Sequence, residues 1–336
     1  MRVFVYEYAC AQPLQMPLPD CFRREGRAMR DALASDCASL PAVEVLTLDA
    51  HGGDEAVAFE KQAAQADWTI IIAPECDGIL EQRYEWAARS AARIIGPQSD
   101  LLAISADKWR TYRWLSAHGL PTPKTWLADE VYREMTKGAV ASAQVAMCAA
   151  THPMVIKPRD GAGSLGIVKC RDGRALADTL ETCQLDRKRL LVQAWAPGRP
   201  ASIALLGGPQ GYVVCLPAWQ YLDEDLSYRG GEIPVAEPYA RRATDLAHRL
   251  AAHLAGKLCG YLGVDLVLGE ASDGSQDCII ELNPRLTTSY IGLRTLSMSN
   301  LAGVMLELAC GRTPPVRWRR GKVVFRPDGN VQLFPI

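Results

Sequence analysis

Apolar and polar positions along the first hundred residues follow two alternating periods. VFVYEY, VEVLTL and WTIIIAP are short β-branched and aromatic runs of the kind that forms strands, whereas REGRAMRDALA, AVAFEKQAAQA and ILEQRYEWAARSA repeat their apolar residues at helical spacing. A last short run, RIIG, closes the series. Strand and helix in turn predict a small parallel sheet with helices on both faces. Ligands of such sheets lie beyond the strand C-termini, here Tyr8 to Met16, Pro74 to Gly78 and Pro97 to Asp100.

A helical pattern from Asp107 is closed by Gly119, Pro121 and Pro123. The texture then changes to TPKTWL, HPMVIKP, GIVKC and RLLVQAW, short strand-like runs with one helical insert on either side of a glycine-rich stretch. Ala139 to Ala150 is alanine-rich and reads as a surface helix. SIALL, YVVCLPAW, VDLVL and DCIIELN then supply strands for an antiparallel sheet, with an amphipathic helix over Tyr239 to Gly260 and a final helix from Leu301 to Cys310. The fold class is therefore α/β with α+β, divided as 1–104, 105–195 and 196–336.

Composition narrows the function classes. The chain has 37 basic and 38 acidic residues, a net charge of -1, which excludes the electrostatic footprint of a nucleic-acid binder. No run reaches the roughly 18 apolar residues of a membrane span, and a cytoplasmic location is expected. The 11 cysteines are scattered without a CxxC pair, so they read as reduced interior thiols. The five histidines form no HExxH, and Ser164 lies outside any GxSxG. A small-molecule protein remains.

In VIKPRDGAGSLGIVKC, Gly161, Gly163 and Gly166 spell GxGxxG, but a β-branched run follows where the dinucleotide fingerprint needs a helix. The Lys and Ser or Thr of a Walker loop are missing too. What is left is a glycine hairpin between strands. With Lys157 at its base it can lay N–H groups over phosphates, or it is an ordinary turn beside a solvated lysine. Lys108, ahead of a helix, carries the same two readings.

In IIELNPR the period of two puts Glu281 and Asn283 on one face, Ile280 and Leu282 on the other, and Arg285 two positions further on. A hairpin centred on Asp273 brings Asp265 opposite Glu281; a tight Asp273-Gly274 turn would pair Asp265 with Leu282 instead. Three oxygen-bearing side chains on one face suit a hard cation bound to a phosphate, or are the solvated acids of a half-buried strand pair. LSYRGGEIPVAEP reads as a polar, glycine-rich loop, and LVQAWAPG as a strand end able to offer backbone groups to a base edge.

In this order, DKWRTYRWLSAHGLPTP, VIKPRDGAGSLGI, LLVQAWAPG, GVDLVL and IIELNPRLTTSYIGL resemble the ATP-grasp superfamily of carboxylate-amine ligases. Within it, VFVYEYACAQPL with REGRAM, the YRGGEIP segment and NPRLTTSYIGL are similar to the tyramine-glutamate ligase group of methanofuran biosynthesis. The resemblance implies an ATP-grasp fold with an N-terminal parallel-sheet domain, a small central lid domain and a C-terminal antiparallel-sheet domain. It implies ATP on Lys108 and Lys157, with the loop of Gly161, Gly163, Ser164 and Gly166 as a lid and Gln193, Ala194 and Trp195 as the adenine hinge. Asp265, Glu281 and Asn283 would hold a pair of magnesium ions, for which manganese can substitute, and Arg285 would face the transferred phosphoryl group. Ala194 and Pro200 stand where many relatives carry acids. Tyr228, Arg229, Gly230, Gly231, Thr287, Thr288 and Ser289 are the expected substrate contacts.

The implied reaction is amide formation through an acylphosphate with release of ADP and phosphate. The implied partners are a small carboxylate and an amine, such as glutamate and tyramine, with no nucleic acid or membrane and with a homodimer left open. Two rivals stand beside it: a dinucleotide-dependent oxidoreductase built on GAGSLG, and a non-catalytic nucleotide-binding protein.

Overall fold

The computed structural model describes residues 1–50, 52–137, 148, 152–161, 163 and 165–335. Ser164 and, apart from Cys148, the alanine-rich segment Ala139 to Ala150 lie outside the described residues.

The alternating first hundred residues form β1 (Arg2–Glu7), α1 (Tyr8–Ala11), α2 (Asp20–Ala38), β2 (Glu44–Thr47), α3 (Glu55–Gln65), β3 (Trp68–Ile72) and α4 (Ile79–Arg89). The strands are parallel in the order β2-β1-β3. Along β1, Val3 and Val5 pack with Met29 and Leu33 of α2, while Phe4 and Tyr6 meet Phe59 of α3 edge-on at 5.3 and 4.9 Å. Both faces are thus covered, which is why the strand is apolar without interruption. RIIG contributes a single bridge, Ile94 to Thr69, because the sheet's register ends there.

Helices α5 (Ser99–Ser105) and α6 (Lys108–Ala117) lead to a second sheet made of β4 (Thr125–Leu127), β5 (Met154–Pro158), β6 (Val168–Cys170) and β7 (Leu190–Ala194). It is antiparallel in the order β4-β7-β5-β6 and is backed by α7 (Ala128–Lys137) and α8 (Gly173–Thr182). β5 and β6 flank the glycine hairpin.

The third sheet contains β8 (Arg199–Gly208), β9 (Gly211–Val214), β10 (Ala218–Leu222), β11 (Tyr228–Ile233), β12 (Gly260–Leu268), β13 (Cys278–Asn283), β14 (Lys322–Phe325) and β15 (Val331–Phe334). All its pairings are antiparallel, in the order β13-β12-β8-β10-β11-β14-β15 with β9 also on β8. The remaining helices are α9 (Tyr239–Ala252), α10 (Ser289–Leu296) and α11 (Leu301–Ala309). Central β8 feeds two cores by simple alternation. Ala204 and Leu206 join α2, α10 and α11 on one side; Ile203 and Leu205 join α9, Leu101 and Leu115 on the other. Asp36 of α2 accepts from Tyr290 at 2.7 Å and pairs with Arg294, fastening the first unit to α10.

Three expectations are corrected. Tyr228 to Ile233 is a paired strand and not a loop. Its glycines are there because neighbouring backbones come too close for a side chain: a Cβ on Gly230, at φ +119°, would stand 2.1 Å from the Phe325 carbonyl oxygen, and one on Gly231 would stand 2.4 Å from that of Trp219. The amphipathic helix stops at Ala252, and Gly260 already belongs to β12. YVVCLPAW is two strands, β9 and β10, separated at Cys215 to Pro217, because proline has no N–H to give the ladder. The β14–β15 hairpin was not anticipated, its apolar runs being too short to stand out. Cys10, Cys37, Cys170, Cys215 and Cys278 are buried free thiols, whereas Cys21 and Cys310 are exposed and correct the expectation that every thiol is interior. Among the described residues no helix is long and apolar enough to cross a membrane.

Candidate active site

The third sheet supplies the floor of a cleft of about 750 Å³. Near the β12–β13 turn the partners are Leu266 with Ile279 and Val267 with Cys278, and a bulge then shifts the register so that Asp265 faces Glu281 and Gly263 faces Asn283. The extra residue is Ile280, which lines the cleft beside Glu281 instead of turning to the opposite face. The expected pairing of Asp265 with Glu281 is therefore present, but it is set by the bulge and not by a hairpin symmetric about Asp273.

Asp265 accepts from two amides, Gln220 Nε2 at 2.8 Å on Oδ1 and Asn283 Nδ2 at 3.1 Å on Oδ2. Burial, followed by the charge of Glu281, pushes its carboxyl up to about 6 against these hydrogen bonds. Glu281 has a cation: Lys108 Nζ lies 2.8 Å from its Oε1. Lys108 opens α6 behind the Asp107 cap and also donates to the Gly161 carbonyl, while its own N–H donates to Arg159 O at 2.8 Å. The start of the glycine hairpin is thereby held over the acidic pair. Two carboxylates, one without a cationic partner, and an amide oxygen form a hard donor set that fits a divalent cation. Among the described residues no group of three or more His, Cys, Asp and Glu side chains is placed for metal binding, so a ligand's own oxygens would have to complete the shell.

Lys157 on β5 is buried, and among the described residues it has no hydrogen-bond or ion-pair partner. Burial brings its ammonium down to about 8, opposed chiefly by Glu281. An unpartnered buried cation at the base of a glycine hairpin fits an anion such as phosphate. Gly161 and Gly163 line the cleft; a Cβ on Gly163 would stand 2.7 Å from the Phe22 ring, so the hairpin lies on α2. Gly166 takes φ +73° at the return of the turn.

Gln193, Ala194 and Trp195 line the cleft at the end of β7. The Ala194 and Trp195 N–H groups already donate to Lys124 O at 2.9 Å and Pro153 O at 3.0 Å, and the Gln193 amide donates to Thr125 Oγ1 at 2.9 Å. Among the described residues, the N–H left unbonded at this strand end is that of Ala196, one residue beyond the expected trio. Lys169 Nζ sits 3.6 Å from the Trp195 ring centroid, and Pro200 also lines the wall.

Arg285 is partly buried and paired with the buried Glu75, Nε to Oε1 at 3.0 Å. Thr287 and Ser289 hydroxyls bond to Tyr261 Oη at 2.8 and 3.0 Å, and Thr288 donates to Glu25 of α2. Burial raises the Glu25 carboxyl. Tyr228 lines the cleft, Arg229 is exposed and paired with Asp223, and Gly230 and Gly231 are buried within β11.

The three loops beyond the first sheet's strands do not line the cleft; α2 does, through Cys21, Phe22, Arg24 and Glu25. The loops are occupied structurally. Arg23 bonds the carbonyls of Ala9 and Pro13, and Asp100 pairs with Lys257 at 2.9 Å. Glu25, Glu75 and Gln220 were not singled out from the sequence, although Glu25 stands in the REGRAM segment and Glu75 in the loop from Pro74 to Gly78; Gln220 had no local signal.

The ATP-grasp domain family matches residues 105–289, more than half of the chain, and the pre ATP-grasp 3 domain family matches 28–101. The chain belongs to the ATP-grasp family. Tyramine–L-glutamate ligase of Methanocaldococcus fervens is 25% identical over 229 residues, covering 68% of this chain and 62% of that protein, so the match spans about three fifths of the relative's length. D-alanine–D-alanine ligase of Herminiimonas arsenicoxydans is 25% identical over 319 residues, 90% of each chain. The crystal structure of an ATP-grasp superfamily protein from Archaeoglobus fulgidus superposes with a TM-score of 0.68 at 21% identity, covering 96% of this chain and 92% of that one.

Proposed function

We propose that the chain is an ATP-dependent ligase that joins a carboxylate to an amine through an acylphosphate, releasing ADP and phosphate. One observation carries the reading: Asp265, Glu281 and Asn283 converge with Lys108, Lys157 and Arg285 in a single cleft beside a glycine hairpin.

Asp265, Glu281 and Asn283 would hold magnesium or manganese, which when bound neutralises phosphate charge and orients the phosphoryl group. Lys157 and Lys108 supply fixed positive charge to phosphate oxygens, and the hairpin from Gly161 to Gly166 adds N–H groups and excludes water from the acylphosphate. Arg285, oriented by Glu75, faces the charge that develops on the transferred group. The strand end at Gln193 to Trp195, with Ala196, takes the adenine. Glu25, turned into the cleft, accepts the ammonium of the incoming amine, with Tyr228 and Thr288 beside it. No covalent nucleophile is required, because positioning and charge neutralisation supply the rate enhancement.

The finer reading is glutamate joined to an amine such as tyramine in methanofuran-type cofactor biosynthesis, supported by the likeness to tyramine–L-glutamate ligases. A phosphate-release screen with ATP, magnesium and pairs of amino acids and amines, followed by mass measurement of the product, tests both levels. Release of AMP in place of ADP excludes the acylphosphate route. Glu281→Ala is expected to abolish ADP release with the fold intact, and unchanged turnover would overturn the metal assignment.

A further inference from the structure

Helix α2 carries Arg23, Arg24, Arg27 and Arg30. The fold uses two of them. Arg23 donates to four main-chain carbonyls, from Ala9 to Met16, and Arg30 pairs with Asp31 and Asp49. Arg24 instead lies on the cleft wall, with no hydrogen bond or ion pair to any described residue.

The turn between β14 and β15 brings a second such arginine. Arg326 lines the same cleft, and its side chain is equally unpartnered among the described residues. Its backbone is fixed, because its N–H donates to Asn330 O at 2.9 Å. Asp328, two residues further along, is occupied within the turn, accepting from Asn330 N–H at 3.0 Å and from Asn330 Nδ2 at 2.8 Å. The turn rests on α2: at Gly329, φ +92°, a Cβ would stand 3.1 Å from Ala28 Cβ. Ala28 is one helical turn from Arg24, so the hairpin delivers Arg326 to the rim that Arg24 occupies. The other charges that line the cleft at this end have partners: Arg229 has Asp223, and Glu25 has Thr288; Arg27 does not line it. Two guanidinium forks are left over a concave site, a pairing suited to a carboxylate. Both arginines lie outside the segments that the two domain families match.

We propose that Arg24 and Arg326 form an anion subsite for a carboxylate the substrate keeps through the reaction, so that the preferred substrate is a diacid such as an acidic amino acid. The proposal rests on the ligase reading for the fate of the other carboxylate.

Calorimetric titration of the full chain with L-glutamate, L-aspartate and glutarate, each against its monoamide, tests it. The wild type is expected to bind at least one diacid tenfold or more tighter than its monoamide, and Arg24→Gln and Arg326→Gln are each expected to remove most of that ratio without changing the melting temperature. Arg326→Lys, a point charge in place of a fork, is expected to restore only part. A wild type that binds no diacid, or binds diacid and monoamide alike, overturns the subsite, as does a ratio unchanged in both variants. Arg-dependent discrimination without ADP release from any acid and amine pair leaves the subsite standing and removes the ligase reading. ADP release from monocarboxylic substrates, undiminished in Arg326→Gln, does the reverse.

Discussion

Replacing Lys157 by methionine separates a lysine kept for a ligand from one kept for the fold. The residue is 3% exposed, and burial holds its ammonium at about 8 against an ordinary 10.5. The difference, 10.5 less 8, is 2.5 pH units, or about 3 kcal/mol at roughly 1.36 kcal/mol per unit. Between about 8 and 10.5 the unfolded chain holds a proton on this amine that the folded chain has lost, so stability rises with pH across that window. Below 8 both states hold it and the full penalty stands. At pH 7 Lys157 therefore opposes folding, and Lys157→Met, unbranched and uncharged, stabilises the nucleotide-free protein by up to about 3 kcal/mol. With an unfolding entropy of about 2.1 cal/mol/K per residue over 336 residues, the melting temperature rises by about 4 °C. The assay is a thermal melt of both proteins at pH 7 and pH 10 without nucleotide, beside ADP release. The variant is expected to melt higher at pH 7, to lose most of that advantage at pH 10, and to release no ADP. A variant that melts no higher than the wild type at pH 7, or whose advantage is the same at both pH values, refutes the reasoning.

Asp265 makes a parallel case with the opposite sign: its carboxyl, raised from 3.8 to about 6, favours the folded state fully below 3.8 and loses that contribution as pH rises through 6. Asp265→Asn relieves about 3 kcal/mol of that burial penalty at pH 7 but turns its new Nδ2 against one of the two amide donors. It is therefore expected to be more stable than wild type by about 1–2 kcal/mol at pH 7, to lose the advantage near pH 4 in urea titrations, and to lose any protection by magnesium with ATP. Gly230→Ala places a methyl group against the Phe325 carbonyl at φ +119° and is expected to destabilise by about 2–3 kcal/mol in a denaturant titration. Asp36→Ala strands Arg294 and Tyr290 at the seam of α2 and α10 and is expected to lower stability by about 3 kcal/mol, with the melting curve as readout.

Much of the fold was legible from local pattern. The alternation of apolar runs before residue 100 marks β1, α2, β2, α3, β3 and α4 because each element's period is imposed by its own backbone. The glycine hairpin was legible for the same reason, since β-branched Ile167 and Val168 after Gly166 cannot begin a phosphate-binding helix without conflict. The strand β11 was not legible: Gly230 and Gly231 are selected by backbones from β10 and β14, which are near only in the folded chain. The acidic pair was legible in parity but not in cause, since a bulge at Ile280 is a property of two paired strands.

The sequence by itself determined where the chain turns, which residues share a face, and that a lysine and a glycine hairpin adjoin each other. Tertiary structure alone decided that Glu75 meets Arg285, that Gln220 and Asn283 hold Asp265, and that Glu25, Arg24 and Arg326 reach one cleft. The physical reason is range. Backbone torsions and side-chain period act over a few residues, whereas the free energy of a charged group depends on whatever the whole fold places within a few ångströms of it.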